Sequence, residues 1–387
     1  MKALKLFATL CLGSMLVASC TPDNGEGNNS KDAGLVLSLD KSFIYDNNGA
    51  TSYGVATFTV TYNDVVLNEG EYTIYEEVNL GNKITEDVAL EGSTYTSNEQ
   101  GNHYFWAEYG LEFTKTKTLL MVVATPPAAP AVPTDNNPEK LNFKQRVLIT
   151  QFTGTDCGFC PGMINALHIA KNNPVYGDKF IIAAAHLYND SDPAYLSDTP
   201  QLASLFGVSG YPTINGNMYK NEGNKTSEAI IELIDDCFEV NPIKGGIAVK
   251  SEYHASAKYI VLSALVKAKE SAEFRIGAWL VEDGIKGSQA NGGFSPEPGV
   301  DFNTHNNCIR MVNSRQNYKD YSGLTLGTIN AGESKSYEFA FPIANGWKGD
   351  NLHVVVFIST KDKSGKWYVN NVVNVDKNGS VDFEYTE

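Results

Sequence analysis

The chain has 387 residues, 42% of them apolar, and 30 Lys+Arg against 45 Asp+Glu give it a formal net charge of −15. This is globular material of two or three domains, too apolar for wholesale disorder. An acidic balance with no basic face excludes nucleic acid as a partner. Six cysteines are too few for a disulfide-scaffolded miniprotein, so each is read individually.

At the N-terminus, Lys2 and Lys5 precede an apolar run over 6–17. That run is too short to cross a membrane as a helix, and its flanks match a secretory signal. Ala18 and Ser19 lead into Cys20, and the stretch 16–20 resembles the lipobox of bacterial lipoproteins. The resemblance implies removal of residues 1–19 as a signal peptide and lipidation of Cys20. It also implies an outer-membrane location, with the body on the periplasmic or the cell-surface face. Residues 20–33 are polar and without period, as expected of a flexible tether.

Residues 34–125 alternate apolar and polar side chains in short runs separated by Gly, Asn and Asp, the pattern of a β-sandwich. The segment 101–110, rich in aromatics, resembles late strands of bacterial immunoglobulin-like domains. Its rings are expected to form cross-strand pairs. Five prolines between 126 and 138 predict a stiff, extended linker over 126–140.

From 141 to 242 the pattern changes. Apolar runs at 146–152 and 179–185 suit buried parallel strands. A helix is expected to begin near Cys157, a second over 201–206, and a third over 226–238 with Thr226 or Ser227 as cap. Strands alternating with helices predict an α/β layer. Alternation returns over 243–387, a second β domain.

The chemistry concentrates at Cys157-Gly158-Phe159-Cys160, between an expected strand and an expected helix. Free N–H groups and the helix dipole would stabilise a thiolate at Cys157, and Cys160 one turn on could resolve a mixed disulfide. Half a zinc site has the same spacing, but no second ligand pair exists, so no metal and no other cofactor is expected. Tyr211-Pro212-Thr213 follows a short helix and precedes a strand. Together these elements resemble a thioredoxin-like domain, which implies a cis-proline at Pro212 facing the sulfurs, with Tyr211 and Thr213 positioning substrate backbone. The resemblance makes protein thiols and disulfides the partner class.

More widely, residues 147–161 are similar to the signature of the outer membrane protein 28 family, Bacteroidetes lipoproteins with a thioredoxin-like core. The stretches 280–283, 304–310 and 367–372 are similar to that family's β-domain landmarks, so the resemblance covers about 141–387. It implies a thioredoxin-like α/β domain between an N-terminal immunoglobulin-like β-sandwich and a C-terminal β-sandwich domain. It implies no substrate. Two residues depart from the thioredoxin pattern. Gln151 stands where a buried acid would move a proton, and Asp156 adds a negative charge beside Cys157. Both point to slow redox chemistry.

His186, at the end of the second apolar strand, is either a modulator of the thiols or a satisfied histidine at a loop start. His168 lies too far along the helix to touch the sulfurs. Cys237 and Cys308 are either buried thiols or a bond between domains. The Gly-rich 291–294 lacks the strand, Lys and Ser/Thr of a phosphate loop. Two functions compete: a thiol–disulfide oxidoreductase with Cys157 attacking and Cys160 resolving, and a non-catalytic binding or structural lipoprotein using the α/β domain as scaffold.

Overall fold

A computed structural model describes residues 34–41, 43–46, 54–63, 65–81, 84–187, 191–316 and 320–386. The expected signal peptide, the expected tether and Cys20 lie outside the described residues.

Alternation builds the N-terminal unit. Strands Leu35–Leu39 and Ala56–Tyr62 pair antiparallel and turn Leu37, Leu39, Phe58 and Val60 inward. The facing sheet runs Phe43–Tyr45, Thr118–Val123, Gly101–Tyr109, Thr73–Gly81, Ile84–Ala89 and contributes Ile44, Leu120, Phe105 and Ile74. The expected cross-strand aromatics occur on the outer face, where Trp106 stands in register with Tyr75 and stacks on it at 4.3 Å.

The α/β unit begins at Val147–Thr153, buried at every position. It pairs parallel with Phe180–His186 along its whole length and antiparallel with Thr213–Gly216 on its other side. Helices α1 (Cys160–Lys171) and α3 (Ser227–Val240) cover one face, packing Met163, Leu167, Ile230 and Leu233 on Val147 and Ile149. Helix α2 (Thr199–Leu205) lies on the other, where Leu202 meets Leu148 and Phe152. The expected cap is Thr226, whose hydroxyl accepts from the Ala229 N–H. Helix α1 starts three residues later than expected, because 154–157 first closes a turn in which the Cys157 N–H donates to the Gly154 carbonyl.

This sheet does not stop at the junction expected near 242. Strand Cys308–Asn313 joins Phe180–His186 in parallel with Cys308 beside Ala184, and the sheet continues through Ala272–Glu282, Leu352–Lys361 and Trp367–Asp376. One apolar cluster therefore joins Leu148, Phe152 and Ala183 to Trp279, Val355 and Phe357. A second sheet, Ser334–Pro342, Tyr259–Ala268, Gly245–His254 and Ser380–Val381, closes over the other face of the continuation. Its core also takes in Phe43 and Met121 from the N-terminal unit. Trp279 is fully buried, its indole N–H donating to Ser314 Oγ at 2.9 Å and its ring set edge-on to Phe357. Trp279→Ala is expected to cost about 3–5 kcal/mol in urea unfolding. A loss below about 1 kcal/mol would mean that the shared core does not hold the two units together.

The proline-rich segment is docked on the strand Tyr259–Ala268. Tyr259, Ser263 and Lys267 share one face of their strand. The Tyr259 hydroxyl donates to the Ala124 carbonyl and Ser263 Oγ to that of Pro130. The Lys267 ammonium donates to the Asp135 carboxylate and to the Pro138 and Lys140 carbonyls, at 2.6–3.1 Å. Prolines offer carbonyls but no N–H, so side-chain donors rather than a sheet ladder hold this segment.

Candidate functional site

Cys157 and Cys160 form a disulfide with their Cα atoms 5.4 Å apart. Cys160 opens α1, and Pro161 occupies the first turn, where a missing N–H costs nothing. Cys160 is fully buried and Cys157 is 5% exposed. The Tyr211–Pro212 peptide is cis. Thr213 pairs with Phe152, so Pro212 and the 154–159 loop lie at one end of the sheet. Thr213 Oγ1 donates to the Gly210 carbonyl at 2.7 Å. Asp156 is exposed.

Residues 289–297, from the β continuation, lie across this loop. Gln289 Nε2 is within 3.0–3.1 Å of the Gly154, Thr155 and Cys157 carbonyls. The Ala290 N–H donates to the Thr155 carbonyl and the Gly292 N–H to that of Gly158, both at 2.7 Å. Glycine eases the close approach of the two backbones: a Cβ on residue 292 would stand 3.0 Å from the Gly158 oxygen. Likewise a Cβ on Gly162 would lie 2.6 Å from the Phe294 ring. Asn165 of α1 fastens the far end, donating to the Ser295 carbonyl and accepting from the Glu297 N–H. The sequence reading missed this strap. Its one signal is the glycines near 292, which periodicity weighs only against a phosphate loop.

His186 is buried, with Nδ1 2.9 Å from Asp192 Oδ2 and Nε2 3.7 Å from Cys308 Sγ. Asp192 also accepts from the Thr155 N–H at 2.8 Å, which ties the disulfide loop to the histidine. Burial would raise the Asp192 carboxyl, but His186 and the two backbone N–H groups outweigh it and hold the group below the usual carboxylate range. Burial pushes the His305 imidazole down, aided by His186 against its ring. It pushes the Cys308 thiol up, beyond thiolate formation near neutral pH. Cys308 and Cys237 are both free and buried, and burial lifts the Cys237 thiol to about 12. The bond considered between them is not formed. Asp192 and Thr155 had no signal in the sequence beyond a polar stretch after His186.

Gln151 is buried on the α1 face, one residue pair from Thr153, and its Nε2 has no partner among the described residues. His168 is half-buried on α1 beside Asn172. Among the described residues no group of three or more His, Cys, Asp or Glu side chains could hold a metal ion, and no helix is long and apolar enough to cross a membrane.

Fold and site first define a class, a β-rich multidomain protein with one Cys-x-x-C disulfide at a helix start. The family follows: residues 199–380 match the family model described as outer membrane protein Omp28, the family that the sequence resembles. The matched segment holds Pro212, α3 and the strap and begins after Cys160. The family supports a cell-envelope protein of the outer membrane. No curated protein matches the chain. Among solved structures, HBP35 of Porphyromonas gingivalis is similar at TM-score 0.49 and 17% identity, over 63% of this chain and 78% of that one. A domain of RIM from Drosophila is similar at TM-score 0.18 and 10% identity, over 36% of this chain and 96% of that one. The Yersinia pseudotuberculosis adhesin InvE is similar at TM-score 0.17 and 7% identity, over 90% and 61%. None of the three reaches a TM-score of 0.5.

Proposed function

We propose that this chain is an outer-membrane lipoprotein, anchored through lipid on Cys20, whose thioredoxin-like unit over about 141–242 carries a slow thiol–disulfide exchange centre for protein thiols. The observation that carries this reading is the Cys157–Cys160 disulfide at the start of α1, at the sheet end where Pro212 also lies. The parallel pair Val147–Thr153 and Phe180–His186, with antiparallel Thr213–Gly216 beside it, supports the thioredoxin-like assignment. An immunoglobulin-like unit over 34–125, joined to the thioredoxin-like unit through 126–140, and a β unit over 243–387 complete the proposed division.

In the oxidising direction a substrate thiolate attacks Cys157 Sγ, the less buried sulfur. The Cys157–Cys160 bond breaks and Cys160 leaves as a thiolate that takes up a proton. A second substrate thiol loses its proton and attacks the substrate sulfur of the mixed disulfide, releasing Cys157. Two substrate thiols become a disulfide and the protein's disulfide becomes two thiols. Tyr211 and Thr213 would position the substrate backbone. Gln151 cannot relay a proton, so Cys160 would depend on water, which makes exchange slow.

The test is a Cys160→Ser variant, which leaves Cys157 able to form a mixed disulfide and unable to release it. Non-reducing mass spectrometry of the isolated variant is expected to show an adduct on Cys157. No adduct, together with a Cys157–Cys160 potential below about −300 mV, would remove the exchange reading. The second reading, a binding or structural lipoprotein with the same unit as scaffold, is favoured by one observation: residues 289–292 are hydrogen-bonded to the main chain of the loop that carries Cys157.

A further inference from the structure

The two ends of the N-terminal sandwich differ in character. At one end Tyr45 and Val123 pack against the core between the C-terminal sheets. At the other, two hairpins lie side by side: Ala56–Tyr62 with Val65–Val66, and Gly101–Tyr109 with Glu112–Phe113. Tyr62 and Tyr109 close their strands with rings 5.3 Å apart, so both turns project from this end. The turns carry aliphatic side chains in water. Leu111 is 93% exposed, more than any other large apolar side chain among the described residues, and Val65 and Val66 are 64% and 48% exposed. Apolar groups gathered at one tip mark a surface that another molecule or a membrane covers.

The point where the chain enters the unit says which. Leu35 pairs with Tyr62, and the Asn63 N–H donates to the Gly34 carbonyl at 3.4 Å, so the first described residue lies beside the Val65–Val66 turn. Residues 20–33 separate Gly34 from an anchor on Cys20. A chain of that length reaches at most about 50 Å, and about 20 Å as a random coil. A lipid on Cys20 thus brings this tip to the bilayer, rather than the end packed on the body. Charge narrows the kind of lipid. Glu69, Glu71 and Glu112 are exposed around the tip, and Asp64 adds a further acid to the sequence of the first turn. Anionic headgroups repel such carboxylates, so the contact is apolar and suits a zwitterionic surface.

We propose that this tip is a membrane-contact surface, with Leu111, Val65 and Val66 seated among the lipids of a zwitterionic bilayer surface beside the anchor. The inference rests on the anchoring at Cys20 proposed above, and its test supplies a synthetic anchor so that the two can fail separately.

The chain over 20–387, which keeps every described residue, is coupled through Cys20 to maleimide-bearing lipid in phosphatidylcholine vesicles. Cys157 and Cys160 are joined and Cys237 and Cys308 are buried, so Cys20 is the thiol that reacts. Leu111→Trp is expected to be quenched by phosphatidylcholine brominated in its acyl chains, read as the difference from wild type. Leu80→Trp, exposed at the opposite end of the sandwich, is expected not to be quenched. Hydrogen exchange at 63–67 and 110–113 is expected to slow roughly ten-fold on the vesicles, and Leu111→Asp with Val65→Asp to remove that protection. Quenching absent at 111, or equal at 111 and 80, would overturn the proposal. So would quenching at 111 that needs added anionic lipid, or protection without vesicles that grows with protein concentration, the sign of a second copy on the tip. Mass spectrometry of Cys20 in membrane-extracted protein tests the natural anchor independently of this measurement.

Discussion

Lys267→Ala is expected to lower the unfolding free energy by about 3–5 kcal/mol, because it leaves one charge of a buried pair without its partner. The ammonium is almost wholly buried and serves Asp135 and two main-chain carbonyls at once. Asp135 also accepts from the Tyr385 hydroxyl and the Asn137 N–H. Three parts of the chain, near 135–140, 267 and 385, therefore meet on one nitrogen and one carboxylate. Removing both charges, in Lys267→Met with Asp135→Asn, is expected to return most of the loss, since no buried charge is then stranded. The pH dependence has a definite sign. Burial would raise the Asp135 carboxyl, but Lys267, the Asn137 N–H and Tyr385 outweigh it and hold the group below the usual carboxylate range. A depressed folded value gives stability that is complete above the unfolded value near 4 and disappears as pH falls through the folded one. The gap between wild type and Lys267→Ala in urea unfolding should thus be full at pH 7 and shrink below about pH 4. A loss under about 1 kcal/mol at pH 7 would mean that the proline-rich segment is not anchored through Lys267.

Gln289→Ala is expected to speed alkylation of Cys157 in the reduced protein by roughly ten- to a hundred-fold. An amide nitrogen has two hydrogens, so its contacts amount to about two hydrogen bonds at any moment, each worth about 1 kcal/mol. Losing them shifts the local equilibrium toward a strap lifted off the loop, and a reagent reaches Cys157 only in that state. The backbone bonds of Ala290 and Gly292 remain, so the global fold should not change. Gln289→Glu should act more strongly, because it sets a carboxylate against three carbonyl oxygens. Iodoacetamide kinetics followed by mass spectrometry measure both. Rates within about two-fold of wild type would show that the strap does not limit access to Cys157.

What could be seen in the sequence was local. The apolar run at 146–152, the spacing of Cys157 and Cys160, Pro212 and the face of α3 each report through neighbours a few residues away, and each was found at its place. Periodicity tells what kind of element a segment is and stays silent on its partner. Nothing near Cys308 marks it as the neighbour of Ala184, so the junction expected near 242 is crossed by a sheet that continues through it. Gln289 meets the disulfide loop from more than 130 residues away, and an isolated glutamine in a loop has no sequence signature. The proline count over 126–138 bears only on local backbone stiffness. It could not indicate docking, because the donors that hold the segment stand on a strand beginning at Tyr259.

The joining of Phe180–His186 to Cys308–Asn313 also sets a timetable for biogenesis. The flank of the earlier strand gains its neighbour only after some 120 further residues have been made, roughly 6–25 s at ordinary elongation rates. Through that interval unpaired backbone beside an apolar core is open to wrong partners. The α/β unit cannot finish ahead of the β continuation, so a C-terminal truncation before residue 308 should give an aggregation-prone chain rather than a smaller soluble domain.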